Sequence, residues 1–163
     1  MAQRLENGIV FPRIEVPRLS GGSLCLPAEL AGSYGVILIY RGHWCPFCNE
    51  QIAAFADAWD ALSQAKIKVV AFSAEGEAKT TAFAEKHSVP FPLGHSAEAT
   101  TIAEVTGAYV SNFPSRGHFI ENTGFVLAPD STVISALYSS RAIGRLMPSD
   151  VVRFVAHMRT LQK

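Results

Sequence analysis

The chain is short of the features that mark membrane, nucleic-acid and secreted proteins. Fourteen basic residues balance fourteen acidic ones, so composition gives no reason to expect a nucleic acid or an anionic membrane as partner. The longest unbroken apolar run, Val36 to Tyr40, is far too short to span a bilayer. Met1 to Val10 holds no apolar run of the kind a secretory leader needs, and a cytoplasmic location is the expectation. Three cysteines in 163 residues do not make a disulfide framework. Repeats, low-complexity tracts and linker-like stretches are missing, so residues 1–163 are expected to form a single domain. Hydrophobic residues at 48 % suffice for a real core, and a chain of this length buries about two-thirds of its unfolded surface.

What the chain does have is concentrated between Gly35 and Leu62. Val36 to Tyr40 reads as a strand buried on both faces. Gly42 then allows a sharp turn, and Cys45 and Cys48 follow three residues apart. Directly after them Ile52, Phe55, Ala56, Trp59 and Leu62 fall at the spacing of an amphipathic helix. Both cysteines therefore belong where a buried strand ends and a helix begins, with unpaired amide hydrogens and the positive end of the helix dipole at hand. Such a place lowers a thiol from about 8.5 to roughly 3.5–7.5. Residues three apart in a first helical turn share a face, so the two sulfurs suit a small-ring disulfide. A bridge that short adds little chain-entropy stabilisation, and reversible exchange is its better use. Inert structural thiols and half of a zinc site are the alternatives.

Along the rest of the chain, Met1 to Val16 reads as an arm with a short strand near Ile9 to Phe11. Ser23 to Leu26 alternates as an edge strand, and Pro27 to Leu30 resembles one helical turn. Cys25 in that strand is read as a small buried hydrophobe, with a resolving thiol as the alternative. Ile67 to Ser73 predicts a strand, Glu77 to His87 a helix, and Phe91 to Leu93 a short extended piece. Ser96 suits an N-cap for a helix over Ala97 to Thr106. Tyr109 to Asn122 shows no regular pattern, and His95 and His118 are taken as surface histidines. Phe125 to Leu127 and Val133 to Leu137 predict a hairpin. Ser139 to Met147 is expected to be a loop, and Pro148 opens a last helix. The order β, β-α, β-α, α, β-β, α predicts an α/β fold built on one mixed sheet flanked by helices.

With its Cys-x-x-Cys after the second strand, that order resembles the thioredoxin fold. More closely, the chain resembles the peroxiredoxin-like redoxins of the alkyl hydroperoxide reductase/thiol-specific antioxidant group. The resemblance rests on Leu38-Ile39-Tyr40-Arg41-Gly42-His43-Trp44-Cys45-Pro46-Phe47-Cys48-Asn49, on Gly124 to Asp130, and on Ile143-Gly144-Arg145. It implies that Cys48 stands at the peroxidatic cysteine, Cys45 at the threonine three residues before it, and Arg145 at the arginine that polarises the peroxide. Three departures accompany it. Arg41 replaces the proline usual in that family, Cys45 brings a thiol in place of a hydroxyl, and no proline precedes Phe125 where thioredoxins place their cis-proline.

The activity implied is a thiol-dependent reduction of hydroperoxides through a Cys45–Cys48 disulfide, with an external dithiol of thioredoxin or glutaredoxin type as reductant. No cofactor or metal is called for. Tyr40, His43 and Trp44 are supporting candidates: a hydroxyl aimed at the site or a packed strand aromatic, an imidazole beside the thiols or a solvated one, and a lid or a core residue. Relatives are often homodimers, although nothing in the surface pattern marks an interface. The rivals are a disulfide oxidoreductase acting on proteins, disfavoured by the missing cis-proline platform, and a metal-holding or structural redoxin. A tetrahedral metal site normally needs four ligands, and one Cys-x-x-Cys supplies two.

Overall fold

A computed structural model of the chain describes residues 2–162. The centre is a five-stranded mixed sheet of β3 (Tyr34–Ile39), β4 (Ile67–Phe72), β5 (Leu93–Gly94), β8 (Thr123–Leu127) and β9 (Val133–Tyr138), ordered β5-β4-β3-β8-β9. β4 runs parallel to β3 and β5, whereas β8 pairs antiparallel with β3 and β9. Every residue of β3 is buried, as its uninterrupted apolar run requires of a central strand covered on both faces.

Two cores result. On one face Val36, Leu38, Tyr40, Val69 and Val126 pack against α1 (Pro46–Asp57), α2 (Trp59–Gln64), α3 (Glu77–His87) and α5 (Pro148–Thr160). On the other, Ile37, Ile39, Val70, Phe72 and Phe125 meet α4 (Ala99–Thr106) and the two-stranded ribbon of β1 (Ile14–Pro17) and β2 (Ser23–Leu26). The expected mixed sheet flanked by helices is present, with the β1–β2 ribbon joining α4 on the second face. Among the described residues no helix is long and apolar enough to cross a membrane.

Several local expectations differ from the structure for identifiable reasons. The first strand lies at Ile14–Pro17 rather than at Ile9 to Phe11, where Val10 makes only an isolated bridge to Thr132. Pro12 precedes and Pro17 ends a strand of only four residues. The irregular stretch after Tyr109 is a hairpin of β6 (Val110–Phe113) and β7 (Gly117–Ile120). Pro114 lies in its turn, and Gly117, at φ +69°, opens β7. The helix predicted from Ile52 to Leu62 is two helices meeting at Ala58, whose ψ of 8° bends the chain while leaving Ile52, Phe55 and Leu62 buried. Ser96 is left-handed at φ +54° and caps nothing. Glu98 caps α4 instead, its carboxylate accepting from the Thr100 and Thr101 amides at 3.2 and 2.7 Å. His95 is buried, bonded through Nδ1 to Ser96 Oγ at 2.9 Å, and is no surface histidine; His118 is exposed.

Phe125 anchors the second core, edge-on to Phe11 at 5.2 Å and to Tyr138 at 5.6 Å between ring centroids. Phe125→Ala is expected to destabilise the protein by about 3–5 kcal/mol through lost burial and a residual cavity. A urea titration followed by circular dichroism checks this, and a loss under about 1 kcal/mol would contradict the packing described.

Candidate active site

β3 delivers the chain to Arg41 and Gly42, and α1 begins four residues later. Gly42 is not left-handed. It is glycine because a Cβ there would overlap the Glu75 carboxylate and the Trp44 indole. Glu75 takes the His43 amide and, at 2.6 Å, His43 Nδ1. Its own carbonyl accepts from the Ser96 amide at 2.6 Å. The turn is thus pinned to the segment after β4, and the start of α1 is fixed before any sulfur is considered.

Cys45 is the N-cap of α1. Its Sγ accepts from the Cys48 amide at 3.4 Å, Pro46 occupies the first helical position, and the Asn49 side chain donates to the Cys45 and His43 carbonyls at 2.8 Å each. Sulfur here does the work that Ser, Thr, Asp or Asn oxygen usually does at a helix start. Cys48 lies one turn further in. Its Sγ accepts from the Arg41 amide at 3.4 Å and from Arg145 Nη1 at 3.4 Å. Arg41 Nη1 stands 3.6 Å from Cys45 Sγ, so each sulfur faces its own guanidinium. Neither cysteine is in a disulfide, and both are fully buried.

The two thiols titrate as a unit. Cys45 is lowered to about 5, foremost because the Cys48 side chain hydrogen-bonds to it, then through the Cys48 amide, Arg41 and the charge of Arg145, with burial opposing. Cys48 is pushed far up because its thiol is the donor in that bond, with burial adding to the effect. The pair therefore gives up one proton readily and keeps the second, and the single negative charge rests on Cys45.

Arg145 arrives from the segment between β9 and α5. Its Nη1 also donates to Gln51 Oε1 at 3.0 Å and its Nη2 to the Ala142 carbonyl at 2.5 Å. The segment is docked in two ways. Gln51 Nε2 donates to the Leu146 carbonyl at 2.9 Å, and Leu146 packs on Gly124, where a Cβ would come within 2.7 Å of its Cδ1. Asn122 completes the chain by donating to Gln51 Oε1 at 3.0 Å and to the Ile39 carbonyl at 3.3 Å.

Cys45, Cys48 and Arg145 are thus brought together, while the three supporting candidates face elsewhere. Tyr40 is a packed strand aromatic, stacked on Phe83 at 4.9 Å, and its hydroxyl makes no hydrogen bond. Burial pushes its phenol up to about 12. The His43 ring belongs to Glu75. Trp44 lies edge-on to Phe119 at 5.0 Å, with Arg41 and Arg116 over its ring at 4.9 and 4.8 Å. Cys25 sits across from Glu15 in the β1–β2 ribbon, half-buried between the inward-facing Leu24 and Leu26, and so points away from that core. No group of three or more His, Cys, Asp and Glu among the described residues is arranged to hold a metal.

Sequence reasoning missed Gln51, Glu121, Asn122 and the contact of Arg41 with the sulfurs. Gln51 falls on the helix face next to Ile52 and Phe55, so its inward direction was legible from periodicity. Glu121 and Asn122 lay in a stretch that showed no pattern.

Comparison with known proteins fits this geometry. Residues 8–135 match the AhpC/TSA family. A putative peroxiredoxin, bcp, of Coxiella burnetii is 29 % identical over 136 residues, covering 82 % of this chain and 88 % of that one. A peroxiredoxin of Methanothermobacter marburgensis is 24 % identical over 160 residues, covering 94 % and 72 %. Among solved structures, the peroxidoxin BcpB of Mycobacterium tuberculosis superposes with a TM-score of 0.78 at 21 % identity, over 98 % of this chain and all of the other (100 %). A peroxiredoxin 6 of Arenicola marina gives 0.83 at 18 %, over 98 % and 76 %. These likenesses place the mixed sheet and its helices in the thioredoxin-like fold of peroxiredoxins, and the family match covers most of the chain: it belongs to the AhpC/TSA family.

Proposed function

We propose that this chain, acting as one domain over residues 1–163, is a thiol peroxidase that reduces hydroperoxides through Cys45 and Cys48. The observation that carries this is the pairing of two adjacent sulfurs at the start of α1 with the Arg145 guanidinium 3.4 Å from Cys48 Sγ. A fixed guanidinium there stabilises negative charge both on an attacking sulfur and on the oxygen that leaves.

Two features pull on the choice of attacker. The resting charge sits on Cys45, yet the guanidinium that would polarise an O–O bond sits on Cys48. Both are satisfied if Cys48 attacks while the Cys45 thiolate accepts its proton. The Cys48 sulfur then bonds to the near peroxide oxygen, the O–O bond breaks, and the departing alkoxide or hydroxide takes a proton. Cys48 is left as a sulfenic acid. Cys45, again as thiolate, displaces the sulfenic oxygen as water and closes the Cys45–Cys48 disulfide. Two thiols and one hydroperoxide have become one disulfide, one alcohol and one water. An external dithiol of thioredoxin or glutaredoxin type returns two electrons by exchange.

Oxidation of the pure protein by one equivalent of hydrogen peroxide, mapped by mass spectrometry, tests the assignment. Wild type is expected to yield the Cys45–Cys48 disulfide, Cys45→Ser a trapped sulfenic acid on Cys48, and Cys48→Ser none. A sulfenic acid only in Cys48→Ser would reverse the roles. Arg145→Ala is expected to slow peroxide consumption by about a hundredfold or more, the scale for removing one preorganised donor from a transition state. Faster turnover of insulin-like disulfides than of peroxide would instead make the protein a disulfide reductase.

The acidity of the pair sets the pH dependence. The folded-state value for Cys45 lies below that of a free thiol, so the anion is present above about pH 5 and is lost below it. Peroxide consumption is expected to be level through neutral pH and to fall about tenfold per unit below the midpoint. Ultraviolet thiolate absorbance in a Cys25→Ser background gives the midpoint directly. A value near the free thiol, about 8.5, would contradict the site described.

A further inference from the structure

Arg145 is the arginine the family pattern points to; Arg41 is not, and the thiol pair faces both. Arg41 is held on several sides. Its Nε lies 2.8 Å from Glu121 Oε2 as an ion pair without hydrogen-bond angles, and its guanidinium carbon lies 4.9 Å from the Trp44 ring and 5.2 Å from the Phe119 ring. Glu121 is fully buried, accepts from Ser111 Oγ at 2.7 Å, and has Arg141 Nη1 at 3.9 Å. A buried ion pair is a poor means of stabilising a fold, since well-packed apolar residues commonly do as well or better. What this one achieves is direction. With Nε fixed and the plane held over two aromatic rings, Nη1 faces Cys45 Sγ at 3.6 Å. On its other side Arg41 lines a cavity of about 440 Å³ that Trp44, Glu75, Arg116 and Phe119 also line. Arg41 is therefore the wall between Cys45 and that cavity.

We propose that Arg41, aimed by Glu121, is the catalytic arginine of the reductive half of the cycle and serves Cys45, while Arg145 serves Cys48 in the oxidative half. This rests on the peroxidase reading for the cycle it names. One thiolate of the external dithiol attacks Cys45 Sγ in the Cys45–Cys48 disulfide. The S–S bond breaks, and Cys48 leaves with the electron pair and takes a proton. The second thiolate of the dithiol then attacks its own partner sulfur in the mixed disulfide. The bond to Cys45 breaks, the electron pair goes to Cys45 Sγ beside Arg41, and the dithiol departs as its own disulfide. A better-stabilised leaving thiolate departs faster and makes the protein disulfide easier to reduce. Glu121 touches no sulfur and is a positioning residue.

The full chain is compared with the Arg41→Met/Glu121→Gln double variant, which removes both buried charges together, and with Arg41→Gln, which removes only the cation. Each is expected to raise the thiolate midpoint by about one unit, equivalent to tenfold in the ionisation equilibrium. Each is expected to lower the equilibrium constant for reduction by dithiothreitol by about tenfold, or about 30 mV for this couple. Reduction slows by a similar factor. Single-turnover oxidation by hydrogen peroxide, run for each protein at a pH well above its Cys45 midpoint, is slowed by a smaller factor than reduction, whereas Arg145→Ala shows the opposite split. A merely structural Arg41 would leave the thiolate midpoint and the dithiothreitol equilibrium where they are, and that result overturns the inference. So does a loss of oxidation rate equal to the loss of reduction rate. The thiolate midpoint needs no turnover, so a wild-type pair that never closes under peroxide would sink the peroxidase reading while the midpoint still decides on Arg41.

Discussion

A helix start normally recruits a hydroxyl or carboxylate oxygen to satisfy its free amides, and here the cap is a sulfur that also holds charge. Because Cys45 Sγ accepts from the Cys48 amide, the local stability of α1 and the acidity of the thiol pair share an interaction, with the Cys48 side chain contributing more to the acidity. Protonating Cys45 weakens the cap, and oxidising the pair removes a lone-pair acceptor from it. The chemistry and the first turn of α1 are therefore coupled through a bond about 3.4 Å long. The rest of the molecule is arranged to keep that turn in place while its charge changes.

The arrangement works from the sheet outward. β3 is buried along its length and fixes the position of Arg41 and Gly42. Gly42 leaves room for Glu75 and Trp44 to close on the turn. Gln51, one turn beyond the sulfurs, links Asn122 on the strand side to Arg145 and the Leu146 carbonyl on the other. Such a network is held by several members at once, Gln51 and Asn122 through their amides and Arg145 through both terminal nitrogens. It explains how an arginine from a loop far along the chain is held in register with a sulfur on α1.

How much of this was legible in the sequence varies by element. β3, α1, β4, the β8–β9 hairpin and α5 carry long or strictly periodic apolar patterns, and tertiary packing follows those patterns. The thiol pair was legible because its spacing and its place after a buried strand have a direct chemical consequence. Arg145 was legible only through the family resemblance, since nothing in Ile143-Gly144-Arg145 itself marks an inward-facing guanidinium. The β6–β7 hairpin was not legible: Ser111, Asn112 and His118 are polar, both strands are half exposed, and its order comes from Phe119 and Ile120 packing inward. With the hairpin hidden, Glu121 looked like one more acidic residue, and Arg41 had no visible partner. A buried ion pair between residues eighty apart leaves no periodic trace.

On the proposed cycle, a cysteine at position 45, where the family resemblance implies a threonine, has a consequence for charge that extends beyond supplying a resolving thiol. A hydroxyl beside the peroxidatic sulfur donates a hydrogen bond and stays neutral. A second thiol competes for the proton, and the pair then holds one negative charge that either sulfur can carry. One guanidinium could favour only the sulfur it touches. Two guanidiniums, Arg145 on Cys48 at 3.4 Å and Arg41 on Cys45 at 3.6 Å, put a cation beside each sulfur, although the resting charge stays on Cys45. An oxidation that needs charge on one sulfur and a reduction that needs it on the other are then served by the same static scaffold.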